Sequence, residues 1–146
     1  PDRSDYLKSL GVSKIVMREE LEQNNSKPLL AEAYAHGVDT VGGTILSNLI
    51  KSMSYGGSLA VCGLVASPKI EASVLPFILR GINVLGVDSV NLPIAKKTDT
   101  WGKLASEWKL NILSDIAQEI ELKQISKAIE EIFAGKTIGR IVIAHK

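Results

Sequence analysis

The stretch "VDTVGGTILSNLIKSMSYGGSLAVCGLV", residues 38–65, decides the predicted fold. Its apolar strand at 38–41 leads through a glycine pair into a helix at 44–53. The segment Tyr55-Gly56-Gly57 then turns the chain into a second strand, "SLAVCGL", at 58–64. Because neither strand alternates apolar with polar residues, both are expected in a parallel sheet that helices bury on both faces.

The same rhythm of strands and helices extends to both sides of this stretch. The predicted elements are a helix at 5–11, a strand "SKIVM" at 13–17, a helix from Pro28 to about Ala35, a helix at 73–81, a strand "INVLGVDSV" at 82–90, a helix around Trp101 to Trp108, a helix at 125–135 and a closing strand at 139–145. In the doubly wound order 3-2-1-4-5-6, "SKIVM" would be the third strand and "VDTV" the fourth. The predicted fold class is therefore α/β, the second half of a Rossmann-type sheet.

The composition narrows the function classes. With 45% hydrophobic and 23% charged residues and a net charge of +1, the chain has no field that would attract nucleic acid or a membrane surface. Its apolar runs are too short to span a bilayer, and no signal peptide opens it. The lone Cys62 is interpreted as a core residue of a protein from the reducing cytoplasm.

Side chains that carry catalysis or bind metals are scarce. His36 and His145 have no further ligand at metal spacing, so no metal site is predicted. Trp101 and Trp108, seven residues apart, are interpreted as packing residues rather than as a stacking platform. No catalytic residue is nominated.

The ends of the strands remain as candidate sites, because ligands of doubly wound sheets lie beyond the carboxyl ends of the strands. These ends are Val41-Gly42-Gly43, Gly63-Leu64-Val65 and Asp88-Ser89. The glycines would allow a backbone to approach a ligand closely, or they would only make tight turns. The sequence does not decide between a ligand contact and a tight turn.

Five segments together resemble the medium-chain dehydrogenase/reductase superfamily. They are "DYLKSLGVSKIV", "VDTVGG", "YGGSLAVCGL", "PFILRGINVLGVDSV" and "GKTIGRIVI". The closest likeness is to the zinc-free, quinone-oxidoreductase-like YhdH/YhfP type, whose members are NADPH-dependent acrylyl-CoA reductases. The resemblance implies the C-terminal portion of such an enzyme.

The resemblance also implies a division of the chain. Residues 1–110 would be the C-terminal part of the NADP-binding Rossmann domain, and residues 111–146 would return to the catalytic domain. The chain opens on Pro1 without an initiator Met. The family's Gly-rich pyrophosphate loop and its groups that polarise the substrate are expected before that residue.

Cofactor-binding positions follow from the matched motifs. Arg3, Ser4 and Lys14 match positions near the adenosine 2′-phosphate, where a cation favours NADPH. The strand-end residues Gly63 and Leu64 match a wall of the nicotinamide cleft, and a side chain at Gly63 is expected to obstruct that cleft without disturbing the fold. Two further positions, Ile78 and Ser89, match the nicotinamide pocket.

The resemblance implies hydride transfer from NADPH to an activated enoyl thioester, such as an acyl-CoA, or to a related enone. A quinone reductase of the same branch is an alternative. Another is a non-catalytic structural or dimerisation segment that does not bind NADPH by itself. Because the family pairs its edge strands, a homodimer through strand 82–90 is expected.

Overall fold

The structure is a computed structural model, and it describes residues 3–145. In chain order its elements are α1 (Ser4–Ser9), α2 (Arg18–Leu21), β1 (Tyr34–Asp39), α3 (Gly43–Ser52), β2 (Met53–Val61), α4 (Leu75–Arg80), β3 (Asn83–Gly86), α5 (Ile94–Ala105), α6 (Leu113–Ile116), β4 (Ala117–Glu121), a 3₁₀ turn (Leu122–Gln124), α7 (Ile125–Phe133) and β5 (Arg140–Ala144). No helix of this described part is long and apolar enough to cross a membrane.

Two compact units share these elements. One is Val16–Leu92, and the other joins the residues up to Ile15 to those from Pro93 onwards. The assignment of 1–110 and 111–146 to a cofactor domain and a catalytic domain stays a prediction.

Unit Val16–Leu92 contains a three-stranded parallel sheet in the order β1-β2-β3. Residues Val38, Ala60 and Leu85 lie side by side across the three strands, which fixes the register. The predicted α/β class and the parallel order of the fourth, fifth and sixth strands are confirmed. The helix predicted at 44–53 is present as α3.

The core of this unit lies on one face of the sheet. Its buried members come from α3, from β2 and from the residue before β3: Leu46, Ile50, Met53, Leu59 and Ile82. On the opposite face Val38 is 71% exposed and Leu85 is 54% exposed. The expectation of a sheet buried on both faces is therefore wrong for the described residues, because their helices cover only the Leu59 face.

Two predicted elements before β1 are wrong. Residues 13–17 form no strand, since no described strand lies beside them to complete a hydrogen-bonded ladder. The helix from Pro28 to Ala35 is absent because this segment caps α3 instead. The N–H groups of Leu30 and Ala33 donate to the carbonyls of Lys51 and Ser52, at 2.9 Å each. The same extended backbone then continues into β1.

The predicted strands at 58–64 and 82–90 shift their ends. Strand β2 begins at Met53 and includes the expected turn, which is a bulge where Gly56 has a φ of +70°. Left-handed φ values favour glycine, so the conformation of the bulge explains why a glycine stands at position 56. Strand β3 covers only Asn83–Gly86, because the Asp88 carboxylate then holds a turn by accepting from the N–H groups of Val90 and Asn91.

The other unit contains a two-stranded parallel sheet of β4 and β5, joined through α7. Strand β4, "AQEIE", is missing from the sequence prediction because its charged residues mask a short exposed strand. The closing strand and the helix at 125–135 are present as β5 and α7. Helix α5 carries Trp101, but it ends before Trp108.

Arg80 fastens the end of α4 to the C-terminal end of α3. Its Nη1 donates to the carbonyls of Lys51 (2.8 Å) and Met53 (3.0 Å), and its Nη2 donates to that of Leu30 (2.6 Å). The Arg80 Nε lies 3.5 Å from a Glu32 carboxylate oxygen. Since the last carbonyls of a helix lack partners within the helix, this guanidinium satisfies acceptors that would otherwise be unpaired.

We expect Arg80→Ala to lower the free energy of unfolding of the chain by about 2–4 kcal/mol, because several carbonyls lose a charged donor. Urea denaturation measures this. Arg18→Ala is the matched control: Arg18 makes only an exposed i,i+4 pair with Glu22, so its loss should cost less than about 0.5 kcal/mol. Equal midpoints for the two variants would contradict the role of Arg80.

Candidate functional site

The candidate site lies at the carboxyl ends of β1, β2 and β3. It is organised by Asp39, the last residue of β1, which is 2% exposed. Its Oδ2 accepts from the N–H groups of Val41 (3.3 Å) and Gly42 (2.8 Å), while its Oδ1 is buried without a hydrogen-bond partner. The carboxylate thereby fixes the turn that starts α3.

Gly42 and Gly43 allow a second segment to approach this turn. Both have positive φ, and Gly42 forms a parallel bridge with Ser67. A Cβ on Gly42 would overlap the Ser67 carbonyl oxygen. The Ala66 N–H also donates to the Val41 carbonyl at 2.9 Å. At this turn the glycines are therefore explained by the fold, because they allow the backbone around Ser67 to pack closely.

The end of β2 is tied to the same turn. The Asp39 carbonyl accepts from the Cys62 N–H at 3.0 Å, and a Cβ on Gly63 would overlap the Thr40 carbonyl oxygen and lie 2.9 Å from the Thr40 Cα. That approach contradicts the expectation that a side chain at Gly63 leaves the fold undisturbed. It also holds Leu64, which is 64% exposed, on a fixed backbone at the strand end.

The end of β3 completes this edge. The Val87 N–H donates to the Val61 carbonyl at 2.9 Å, and Ser89 lies in the exposed turn that Asp88 holds. Hydrogen bonds from the backbone and side chain of Asn91, then from the Val90 backbone, keep the pKa of the Asp88 carboxyl below its ordinary value. This carboxylate thus stays charged at neutral pH.

The remaining predicted cofactor-binding positions do not lie on the strand ends. Ile78 lies on α4 with most of its side chain exposed. Three belong to the other unit: Arg3 donates to the carbonyls of Thr137 and Gly135, Ser4 begins α1, and Lys14 is exposed. Because the Arg3 guanidinium already binds these carbonyls, Lys14 is the better candidate for a phosphate contact.

This geometry suits an uncharged ligand better than an anion at the start of α3. Helix N-termini attract anions through free N–H groups, but here the Asp39 carboxylate occupies the turn. Sequence reasoning missed Asp39, although an acid inside an apolar strand and three residues before a glycine pair is a detectable signal. Within residues 3–145, no three His, Cys, Asp or Glu side chains are grouped to hold a metal ion.

Comparisons with known proteins confirm the resemblance. The chain is 36% identical over 143 residues to the acrylyl-CoA reductase AcuI of Ruegeria pomeroyi. The aligned region covers 98% of this chain and 43% of that protein. No family model matches. The chain thus spans less than half the length of this relative.

Solved structures agree. The YhdH oxidoreductase of Salmonella enterica, in complex with NADP, is 35% identical with a TM-score of 0.85. The Bacillus subtilis protein YhfP, with NAD bound, is 35% identical with a TM-score of 0.89. Each match covers 99% of this chain and 44% of the other chain.

We expect Gly63→Ala to destabilise unit Val16–Leu92 by about 1–3 kcal/mol, because its Cβ must displace the Thr40 backbone. Gly86→Ala is the control at the end of the neighbouring strand. No atom lies within 4 Å of a Cβ there, so its effect should stay within about 0.5 kcal/mol. Thermal denaturation followed by circular dichroism compares them; an unchanged midpoint for Gly63→Ala would contradict the close approach.

Proposed function

We propose that this chain, which matches part of the YhdH/YhfP type of the medium-chain dehydrogenase/reductase superfamily, supplies the nicotinamide side of an NADPH-dependent reductase. The substrate would be an activated enoyl thioester of the acrylyl-CoA kind. Supporting this, relatives with 35% identity were crystallised with NADP or NAD, and one relative is an acrylyl-CoA reductase.

The observation that carries the proposal is the fixed edge formed by the ends of β1 and β2. Asp39 fixes the first turn, and Gly63 packs on Thr40, so Leu64 is presented by a backbone with little freedom. A fixed apolar wall orients a flat ring without contributing charge. In doubly wound sheets this edge is where dinucleotides bind.

When bound, NADPH supplies the hydride for the β-carbon of the enoyl group, a proton adds to the carbon next to the carbonyl, and NADP⁺ is left. The described residues would orient the nicotinamide and exclude water on one side. We assign no proton donor among them. Lys14 would contact the 2′-phosphate, and a homodimer would form through the open edge of β3.

This proposal has two alternatives. A quinone reductase of the same branch would use the same cofactor wall with a different acceptor. A structural or dimerisation segment would bind no NADPH by itself, and this holds for the isolated chain in our proposal also. The cofactor wall, rather than the acceptor, is what the described residues support.

We expect the isolated 146-residue chain to bind NADPH only weakly, because the Asp39 carboxylate occupies the start of α3 and would repel a pyrophosphate there. Isothermal titration calorimetry measures the affinity. A full-length protein that carries this chain is the positive control and should bind NADPH and reduce acryloyl-CoA. Micromolar binding by the isolated chain would contradict the expectation. A full-length protein that binds no NADPH would overturn the proposed function.

In the full-length protein, we expect Lys14→Ala to raise KM for NADPH about tenfold and to leave KM for NADH unchanged, because one charge-assisted contact to the 2′-phosphate is lost. Lys8→Ala is the control, since this exposed lysine lies on α1 of the same unit and has no assigned role. Steady-state kinetics with both cofactors decides. Equal changes for NADPH and NADH would exclude a phosphate contact.

A further inference from the structure

An apolar groove lies at the end of α5. Its cavity of about 290 Å³ is lined by the side chains of Trp101, Leu104, Ala105, Trp108, Leu110 and Leu113. Trp101 is 69% exposed and Trp108 is 53% exposed. The sequence interpretation of both tryptophans as packing residues is therefore wrong, because the helix ends between them and leaves both rings at the surface.

Aromatic rings at the surface are informative because they expose a large apolar area that is costly in water. This groove contains both tryptophans of the chain. Two exposed indole rings beside leucines offer flat apolar faces to an aromatic ligand, and bases stack on aromatic side chains with about 1–3 kcal/mol each. The groove thus has the chemistry of a base-binding site.

Lysines outnumber acidic residues in the segment that contains this groove. Residues 94–113 contain four lysines, at 96, 97, 103 and 109, and only two acidic residues, Asp99 and Glu107. The Lys103 Nζ lies 5.4 Å from the Trp108 ring centroid and 3.7 Å from an Asp99 carboxylate oxygen. The segment has a net charge of +2, whereas the whole chain has +1. It therefore favours a ligand that joins a flat ring to phosphates.

We infer that this groove binds the phosphorylated adenosine of an acyl-CoA, with the adenine against the tryptophans and the phosphates near the lysines. The inference rests on the proposed function, in which the substrate is a CoA thioester. NADPH carries a similar phosphoadenosine, but Lys14 is already proposed for its phosphate. The acyl-CoA brings a second phosphoadenosine, to which no other described residue is assigned.

Tryptophan fluorescence of the 146-residue chain tests the site directly, because both tryptophans lie in the groove. We expect CoA to quench the emission saturably, and 3′-dephospho-CoA to bind at least about fivefold more weakly because one charged contact is lost. Binding should weaken as the salt concentration rises. Parallel titrations with NADP⁺ and with pantetheine distinguish the cofactor's phosphoadenosine and the thiol arm from the proposed ligand.

Matched variants measure separately how the tryptophan ring and the lysine charge contribute to CoA binding. Trp101→Ala should weaken CoA binding about tenfold, while Trp101→Phe, which keeps an aromatic face, should retain most of it. A Lys103→Gln variant, which removes the ammonium 5.4 Å from the Trp108 ring centroid, should reduce the preference for CoA over 3′-dephospho-CoA. Lys69→Gln is the control, because this exposed lysine lies in the other unit. Trp108 remains the reporter in the Trp101 variants.

Several results would overturn the inference. These are no quenching by CoA, equal binding of CoA and pantetheine, tighter binding of NADP⁺ than of CoA, or emission that depends on protein concentration because a second copy covers the groove. In the full-length protein, reduction of acryloyl-CoA with a KM unaffected by Trp101→Ala would refute the groove but keep the proposed function. CoA binding without any reductase activity would keep the groove and refute that function.

Discussion

Asp39 fixes the backbone of the strand-end site, as far as the structure describes that site. Its carboxylate holds the turn into α3, and its carbonyl holds the start of the segment after β2. One residue therefore fixes its own turn through its side chain and connects β1 to the end of β2 through its backbone carbonyl. A buried carboxylate is costly unless it accepts hydrogen bonds, and the amides of the turn provide them. The positive φ values of Gly42 and Gly43 make this arrangement possible.

Arg80 and Asp39 stabilise opposite ends of the same β1–α3–β2 segment. Arg80 binds carbonyls where α3 ends, whereas Asp39 binds amides where α3 begins. Each places a charge where the helix dipole favours it. Because both ends are fixed, the wall near Leu64 has a defined place relative to the helix of its own unit. The candidate site is thus a product of helix capping as much as of the sheet.

Sequence reasoning succeeded where one short stretch contains its own evidence. The residues of α3, the parallel strands beside it and the family resemblance were all predictable from residues 38–65 and a few further motifs. It failed where the structure depends on distant partners. The helix expected after Pro28 does not form, because N–H groups of that segment donate to the carbonyls of Lys51 and Ser52 instead.

The candidate sites show the same limit. Gly63 was identifiable as a strand-end glycine, but its contact with Thr40 was not, because that contact depends on how two turns meet. The tryptophans have regular helical spacing in the sequence, and only the end of α5 at Ala105 shows that this spacing does not continue. Asp39 was overlooked although the sequence signals it, as an acid in an apolar strand shortly before a glycine pair.

The contiguity of residues 34–61 has a kinetic consequence. The segment from β1 to β2 is continuous in sequence, so its parallel pair closes over a single crossover, residues 40–52, and costs less chain entropy than pairing with a more distant strand. Arg80 and β3 join from farther along the chain. A folding nucleus formed by β1, α3 and β2 is therefore expected, with the Arg80 contacts made after the transition state. Loss of those contacts would then speed unfolding and leave the folding rate almost unchanged.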